Sequence, residues 1–348
     1  MKPIHSKLIA VACVLAMVVA LPSCSCSDGN RRALSATSGK VGEVVVVCKK
    51  SLWNGEVGEV VRESLAVDYP FLPQSEPSFD LINISADMFS TSFRIHRNLM
   101  IIEVGEEHKE AKFIPQNDIW ASPQLVVKVM GPDEASVAEL LKERKSDYLW
   151  AILEQAEVDR QSKNAVKYQS SEIRKQLTDK FGIVLSIPES YRKNPTEGGD
   201  EADFYWYGYD TNFATLGIFV YSYPYTDTAQ FSAKELNAKR EDFLKRFVPS
   251  SREGSYMVTS PYVEPEYTSL TYKGTFMGRL RGLWEVHNGY MGGPFVSYSI
   301  IVNGKIVTVE GFTYAPRTEK RDYVRQLLGI LLTVGKAPVE NATDVAES

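Results

Sequence analysis

The chain has 348 residues, 44% of them hydrophobic, and a formal net charge of −5 at pH 7. A mildly acidic chain has no general electrostatic attraction for nucleic acid or for an anionic lipid surface, so we expect neither as a partner. The length is sufficient for two domains, each with a hydrophobic core of its own.

The N-terminal run is the first predicted element, and it is typical of a cleaved secretory signal. Lys2 and Lys7 supply positive charge. The apolar residues from Leu8 to Leu21 are fewer than the roughly 20 that a helix needs to span a bilayer. We therefore expect residues 1–23 to be a signal peptide that is removed on export.

The end of this run indicates where the protein is anchored. Leu21-Pro22-Ser23 before Cys24 resembles a bacterial lipobox, in which the cysteine becomes the first mature residue and carries acyl chains such as palmitate. The alternative is an ordinary signal peptide that leaves Cys24 and Cys26 as free thiols. We expect lipidation of Cys24, and from it a lipid-anchored protein of the cell envelope, located at the outer membrane.

Composition and periodicity divide the rest of the chain into four segments. Residues 24–40 are small and polar, which is typical of a flexible tether. Residues 41–180 predict an N-terminal α+β domain, and residues 181–335 predict a C-terminal α+β sandwich domain. Residues 336–348 are interpreted as a disordered tail.

The N-terminal half predicts a β-α-β-β-β-α order. Its strand candidates are "EVVVVCKK", "FDLINIS", "NLMIIEV" and "QLVVKVMG", and "WNGEVGEVVRESLA" has the 3.6-residue apolar period of a helix. Residues 133–180 predict one long helix, or two helices with a break near Asn164. This order suggests a ferredoxin-like α/β domain followed by a long helix.

The C-terminal half predicts an antiparallel sheet with helices. Its best-marked helix is "FSAKELNAKREDFLKRF", in which Ser232 and Glu235 match a capping box. Strands "FMGRLRGLWEV", "PFVSYSIIV" and "KIVTVEGFTY" follow, and Asn303-Gly304 between the last two predicts a tight hairpin turn. A final helix is expected to begin at Thr318.

Aromatic residues are densest at 204–225, where two strands are predicted. Tyr221 and Tyr223 alternate along the second strand, so they share one face of it. Such a face is either an exposed platform for a sugar, peptide or protein partner, or part of the packing under a helix. We expect burial, because the helix after Ser232 supplies apolar residues to cover the face.

A second unusual stretch is "RLRGLWEVHNGYMGGPF", which is rich in glycine for a strand region. Arg279, Arg281, Trp284 and His287 are candidates to line a binding groove beside these glycines, since glycine permits close backbone approach. The alternative is a long hairpin whose glycines serve a turn at Asn288-Gly289, and we favour it.

Two resemblances follow from these features. The lipobox, "IPESYRK" and "RGLWEVHNGYMGGPFVSYSI" are similar to a family of Bacteroidota lipoproteins, the domain-of-unknown-function 4837 family, and the likeness extends over essentially all of the mature chain. It implies no activity. Residues 181–334 resemble a PsbP-type α/β sandwich in the order of their elements, which implies a binding or assembly module.

The sequence carries no recognisable catalytic, phosphate-binding or metal-binding motif. His96, His108 and His287 lie in separate segments without the spacing of metal ligands, so no cofactor or metal is expected. We therefore predict a non-catalytic binding or assembly module with a protein or glycan partner. One alternative is a hydrolase or transferase that uses His287 and Glu285 between the halves, and the other is a purely structural envelope protein.

Overall fold

The described part of the chain covers residues 34–143 and 145–338 of a computed structural model, without the side chains of residues 145 and 146. The predicted signal peptide and Cys24, the predicted lipidation site, lie outside the described residues. The predicted tether ends earlier than residue 40, because Ser35–Ala36 pair with Ala121–Ser122 and Ser38 forms a bridge with His96.

The described part of the N-terminal half contains seven strands and five helices. They are β1 (Ser35–Ala36), β2 (Glu43–Val47), α1 (Lys50–Asn54), α2 (Glu56–Leu65), β3 (Asp80–Ile84), α3 (Thr91–Arg94), β4 (Asn98–Val104), β5 (Lys112–Asn117), β6 (Ala121–Ser122), β7 (Leu125–Gly131), α4 (Glu134–Glu143) and α5 (Lys145–Lys167). A 3-10 turn, Ala86–Met88, follows β3.

The main N-terminal sheet is mostly parallel, so the predicted ferredoxin-like topology is wrong. Its strand order is β3-β2-β4-β7-β5, in which β2 pairs in parallel with both β3 and β4, and β4 with β7. Only the edge strand β5 is antiparallel. A ferredoxin-like sheet is antiparallel, whereas the continuous burial of Val44–Val47 is typical of a parallel strand with both faces covered.

The described residues of the predicted long helix are helical on both sides of residue 144, as α4 and α5, and a break follows at residues 168–170. α4 ends at Glu143 and α5 ends at Lys167, a few residues after the break expected near Asn164. α6 (Ser171–Phe181) then begins at Ser170, whose side chain accepts a hydrogen bond from the backbone N–H of Ile173. Gly182 ends α6 with a left-handed backbone, φ +66°, which glycine adopts without strain.

The C-terminal half is built on an eight-stranded sheet, and it is antiparallel, as the sequence predicted. Its elements are β8 (Ile183–Val184), β9 (Arg192–Lys193), β10 (Phe204–Asp210), β11 (Thr215–Pro224), α7 (Ala233–Phe247), β12 (Met257–Thr259), β13 (Glu266–Tyr272), β14 (Thr275–Val286), β15 (Gly292–Val302), β16 (Lys305–Tyr314), α8 (Arg321–Leu331) and β17 (Gly335–Lys336). The order is β12-β14-β15-β16-β11-β10-β9, with β13 on the same edge of β14 as β12.

The two faces of this sheet are covered by different helices. One face packs against α7, with a core that includes Phe204, Tyr221 and Phe243. The other packs against α6, α8 and the C-terminal part of α5, with a core that includes Ile218 and Leu327. Helices thus cover both faces of the sheet, and side chains that alternate along its strands pack into one core or the other.

Helix α5 links the halves, because it contributes to the cores of both. Leu149 and Leu153 pack in the N-terminal core, whereas Val158 and Ala165 pack in the C-terminal core. Farther along, α5 crosses α8 at Gly329, where a β-carbon would come within 2.3 Å of the β-carbon of Gln161. From Ser35 onward the chain forms one compact unit, and the division into two domains at residue 180 stays a prediction.

Candidate functional site: a cavity between the halves

The aromatic face of β11 is buried. Tyr221 is 2% exposed and Tyr223 is 7% exposed, and the ring of Tyr221 lies 4.6 Å from that of Phe243 in α7. Burial raises the pKa of Tyr221 well above its ordinary value. These two tyrosines therefore stabilise the sheet and do not form an exposed platform.

Trp284, Glu285 and His287 do not come together in a cleft between the halves. Trp284 is buried and its Nε1 donates to the carbonyl of Thr313 at 3.3 Å. The Glu285 carboxylate accepts a hydrogen bond from Ser260 at 2.9 Å. His287 is exposed at the end of β14, where its ring packs 5.2 Å from that of Tyr256.

The glycine-rich stretch is a hairpin, the alternative that the sequence favoured. β14 and β15 flank a turn in which Asn288 has φ +59°. Gly293 sits where a β-carbon would come within 2.1 Å of the carbonyl oxygen of Thr313, so its lack of a side chain permits this packing.

Arg279 and Arg281 are the two candidates that the structure brings to a cavity. Both project from β14 toward α5 and α8, and they line a space of about 290 Å³ between the halves. The other lining residues come from the loop after α2, from α5, from β15 and from α8: Tyr69, Pro70, Trp150, Ala151, Glu154, Gln155, Val158, Tyr298, Leu328 and Leu332.

Arg281 is a buried charge without a counter-ion. It is 8% exposed, and its guanidinium carbon lies 6.0 Å from the ring centre of Tyr69 and 5.6 Å from that of Phe71. Within the described residues it has no hydrogen bond and no ion pair. Cation–π contact with two rings offsets only part of the cost of removing a guanidinium from water.

Two further donors at this cavity are also without partners. Nη2 of Arg279 donates weakly to Glu266 at 3.4 Å and to Thr268 at 3.3 Å, but its Nε is buried with no acceptor in the described part of the chain. The indole Nε1 of Trp150 is likewise buried and unpaired. Buried donors in native proteins are nearly always hydrogen-bonded, so these two atoms, beside the unpaired charge of Arg281, indicate a missing acceptor.

Among the described residues, the one carboxylate that lines the cavity, Glu154, is already occupied. Glu154 accepts a hydrogen bond from the Tyr69 hydroxyl at 2.6 Å, and it pairs with Arg325 at 2.7 Å. Burial raises the pKa of Tyr69 well above its ordinary value, and the charge of Glu154 adds to this effect. Tyr69 therefore stays a neutral donor to Glu154, and Glu154 is not free to neutralise Arg281.

The electrostatics of Tyr298 reflect the same positive environment. Tyr298 lies opposite Arg279 in the β14–β15 register. Burial raises the pKa of its hydroxyl, while the charges of Arg279 and Arg281 oppose that rise.

A second cavity of about 410 Å³, with an apolar wall but with Asp68 and Asp147 also in its lining, adjoins the arginine cavity. The two share Pro70, Trp150 and Ala151, and the second extends to Val67. A ligand with an acidic group beside Arg281 has room for an apolar part against Pro70 and Trp150.

Sequence reasoning found the arginines of this site but missed Tyr69, Trp150 and Tyr298. The alternation of Arg279 and Arg281 with apolar residues along β14 predicts that both lie on the same face of the strand, but not that this face is covered. No spacing in the sequence indicates that α5 and the loop after α2 meet them, because that contact depends on how the halves pack.

The described residues contain neither a cluster of metal-binding side chains nor a helix suited to cross a bilayer. No group of histidine, cysteine, aspartate and glutamate side chains there could hold a metal ion. Among the helices of that same part, none has both the length and the apolar character needed to cross a bilayer.

Family models match the two halves separately. Residues 37–166 match a domain of unknown function, DUF8532, and residues 170–333 match another, DUF4837. The DUF4837 family expected from the sequence is thus found, over the C-terminal half and not over the whole mature chain. No curated protein matches the sequence.

Solved structures similar to the chain cover slightly less than half of it. Cyanobacterial PsbP of Synechocystis, the protein type expected from the element order, is 11% identical, with 46% of this chain and 88% of that chain covered and a TM-score of 0.32. The Saccharomyces cerevisiae Ran-binding protein Mog1p is 13% identical, with coverages of 44% and 90% and a TM-score of 0.26. The human StarD13 lipid transfer and protein localization domain is 12% identical, with coverages of 48% and 96% and a TM-score of 0.21. Likenesses this distant carry no argument about function.

Proposed function

We propose that this chain is a lipid-anchored binding protein of the cell envelope, and that its ligand is a small molecule with an anionic group. The observation that carries the proposal is Arg281, which is 92% removed from solvent and has no counter-ion in the described part of the chain. A buried guanidinium is favourable only when a negative group compensates it, and a bound carboxylate or phosphate does so.

The shape of the donor set supports this ligand class. A guanidinium binds carboxylate and phosphate through two parallel hydrogen bonds, which fixes the orientation of the anion. The unpaired Nε of Arg279 and Nε1 of Trp150 supply further donors at the same cavity. The apolar wall of the adjoining cavity favours a ligand whose acidic group is attached to an apolar body.

The surroundings of the cavity favour binding over catalysis. A general base or nucleophile must be free to take a proton or to attack a substrate. Glu154 is held by Tyr69 and Arg325, and the raised pKa of Tyr69 keeps that hydroxyl neutral. His287, the catalytic candidate of the sequence, is exposed at the end of β14.

Calorimetric titration of the mature protein with phenyl phosphate tests the ligand class. We expect Arg281→Met to weaken binding by about tenfold or more, because a hydrogen bond to a charged group is lost. Trp150→Phe, which removes the Nε1 donor together with part of the ring system, should weaken it less. The matched control is Arg252→Met, since Arg252 is an exposed arginine outside the cavity.

Three outcomes of that titration are informative. Binding that depends on Arg281 and not on Arg252 supports the proposal. Equal loss in both variants would mean that phenyl phosphate responds only to the overall charge. The absence of any binding at millimolar concentration would refute the anion site, while inorganic phosphate as a second probe measures what the phenyl group adds.

The membrane anchor is tested separately, in cells. Labelling with an alkyne fatty acid should mark the wild-type protein and Cys26→Ala, whereas Cys24→Ala should remain an unlabelled precursor. Label that persists on Cys24→Ala would show that the acyl chain is elsewhere. Fractionation of the labelled protein then tells whether it resides in the outer membrane.

A further inference from the structure

The N-terminal sheet has one face that is only partly covered. α2, α4 and α5 pack on the first face, but the second is covered by short segments, with Phe89, Phe93, Ile119 and Trp120 over Val45, Leu99 and Val126. Parallel sheets in proteins usually have helices on both faces. Here Ile82, on the edge strand β3, remains 38% exposed.

The strand order creates a crevice on this face. From β2 the chain turns to β3 on one side, and from β4 it turns to β5 and β7 on the other, so the segments after β2 and β4 diverge. Ligands of open α/β sheets bind at such a point, beside the carboxyl ends of the strands. A cavity of about 420 Å³ lies there, lined by residues 47–49 and 52 after β2 and by residues 101–104, 107 and 108 around the end of β4.

The floor of the crevice is one row of side chains across three strands. Val47 pairs with Ile101, and Ile101 pairs with Lys128, so all three project from the same face. Val47 and Ile101 are buried, whereas Lys128 is partly exposed and has no ion pair in the described part of the chain. An apolar floor with a lysine at one side is a surface for a flat apolar group that carries a negative charge.

The rim adds two basic side chains, Lys49 and His108, and His108 lies within 3.6 Å of the Glu107 carboxylate. Lys49, which follows β2, has no ion pair with any described residue. The Nε2 atom of His108 is buried without a hydrogen-bond partner, since the nearest carboxylate oxygen, of Glu107, is 3.6 Å away. Glu103 and Glu107 also line the crevice, but both are exposed to water, which screens their repulsion of an anion.

Aromatic side chains form the far wall. Phe89 and Trp120 meet edge to face, with ring centres 5.6 Å apart, and both line the crevice. Cys48 lines it as well, but its thiol accepts a hydrogen bond from Asn83 at 3.3 Å and burial raises its pKa, so it is not an activated nucleophile.

We infer that this crevice is a second binding site, separate from the arginine cavity, for a small aromatic molecule with an anionic group. The aromatic part lies over Val47 and Ile101 against Phe89 and Trp120. The anionic group lies toward Lys128, Lys49 and His108, whose Nε2 atom donates to it when protonated there. The site binds and does not catalyse, because Cys48 is protonated and engaged.

Fluorescence titration of the mature protein with anilinonaphthalene sulfonate, an aromatic anion, tests this site. We expect saturable binding that Lys128→Met weakens by about tenfold or more, since a charged hydrogen-bond donor is removed. His108→Ala is a second variant in a loop, so a folding defect in one variant does not decide the result. Phenylnaphthylamine, which has similar rings but no sulfonate, should bind more weakly.

Two controls locate the probe. Lys112→Met removes an exposed lysine on the neighbouring edge strand, outside the crevice lining, and Arg281→Met removes the charge of the arginine cavity. Both should leave the titration unchanged. The inference is overturned if Lys128→Met and His108→Ala bind the dye like wild type, or if Arg281→Met alone abolishes binding.

Discussion

Each face of the C-terminal sheet buries an arginine, and the two arginines differ in what compensates them. On the α7 face, Arg240 is 0% exposed and forms two hydrogen bonds to Glu310, at 2.8 and 2.9 Å. The Nε atom of Arg240 makes a third hydrogen bond, to Oε1 of Glu310 at 3.0 Å. The Nη1 atom donates to Thr259 at 2.8 Å, and the guanidinium lies over the Phe295 ring. On the α5 and α8 face, Arg281 has aromatic contacts but no acceptor in the described part of the chain.

This difference separates a structural charge from a binding charge. Arg240 and Glu310 satisfy each other, so the α7 face is complete without any other molecule. Arg281 has the same chemistry and nearly the same burial, but it is complete only when an anion from solution occupies the cavity. Four tests follow: three measure what stabilises the α7 face, and the last measures what Arg281 contributes on the other face.

Breaking the Arg240–Glu310 pair should have the largest effect. Glu310→Gln removes the buried partner of Arg240 and leaves only the partly exposed Glu241, 3.7 Å from Nη1, as a counter-ion. The loss of one partner of a buried pair typically costs about 3–5 kcal/mol of the free energy of unfolding. Urea denaturation measures this loss. The double variant Arg240→Met/Glu310→Met, which removes both charges, should recover part of it, and a single variant with wild-type stability would contradict the assignment.

Truncating the aromatic packing under α7 should cost nearly as much. Tyr221→Ala removes a ring that is 2% exposed, and large aromatic deletions in cores cost about 3–5 kcal/mol. Tyr223→Ala should be similar or slightly smaller. Thermal melts of both variants check this, and two melts like that of wild type would mean that the face is exposed in solution.

Removing the cap of α7 should have a moderate effect. The Ser232 hydroxyl accepts a hydrogen bond from the backbone N–H of Glu235 at 3.3 Å, and loss of such a cap costs roughly 0.5–2 kcal/mol. We expect Ser232→Ala to lower the free energy of unfolding by that amount, which urea denaturation would show as a lower midpoint. Ser251→Ala, at an exposed serine in a loop, is the control that should not change it.

Removing Arg281 should have the smallest effect on the empty protein. Arg281→Met deletes a charge that nothing compensates, so we expect the variant without phosphate to be as stable as wild type or more stable. Adding phenyl phosphate at constant ionic strength should then raise the melting temperature of wild type and not of the variant. A large loss of stability without ligand would instead make Arg281 a structural charge like Arg240.

The sequence predicted elements better than their pairing. The α7 helix, the β15–β16 hairpin and the alternation of Tyr221 and Tyr223 follow from local signals that act over a few residues. The parallel order of the N-terminal sheet depends on crossover connections between distant strands. The uninterrupted valines of β2 were the one local sign of it, because a strand buried on both faces needs no alternation.

The candidate site could be predicted only in part, for a similar reason. Arg279 and Arg281 stand out in a strand of alternating residues, and the sequence placed them in a possible groove. Their partners in the cavity come from α5 and the loop after α2, more than 100 residues earlier in the chain. Charge satisfaction is a property of the packed molecule, so no local pattern distinguishes Arg281 from Arg240.

The start of helix α8 makes the C-terminal half depend on the N-terminal half. α8 has no side-chain cap of its own; instead, the backbone N–H groups of Lys320 and Arg321 donate to the carboxylate of Glu76, at 2.8 to 2.9 Å. Glu76 lies in the segment that one family model matches, and the helix whose first turn it caps lies in the segment that the other matches. Replacing the segment that carries Glu76 with one that lacks a carboxylate there would leave that turn without its acceptor, so the first turn of α8 depends on a residue more than 200 positions earlier in the chain.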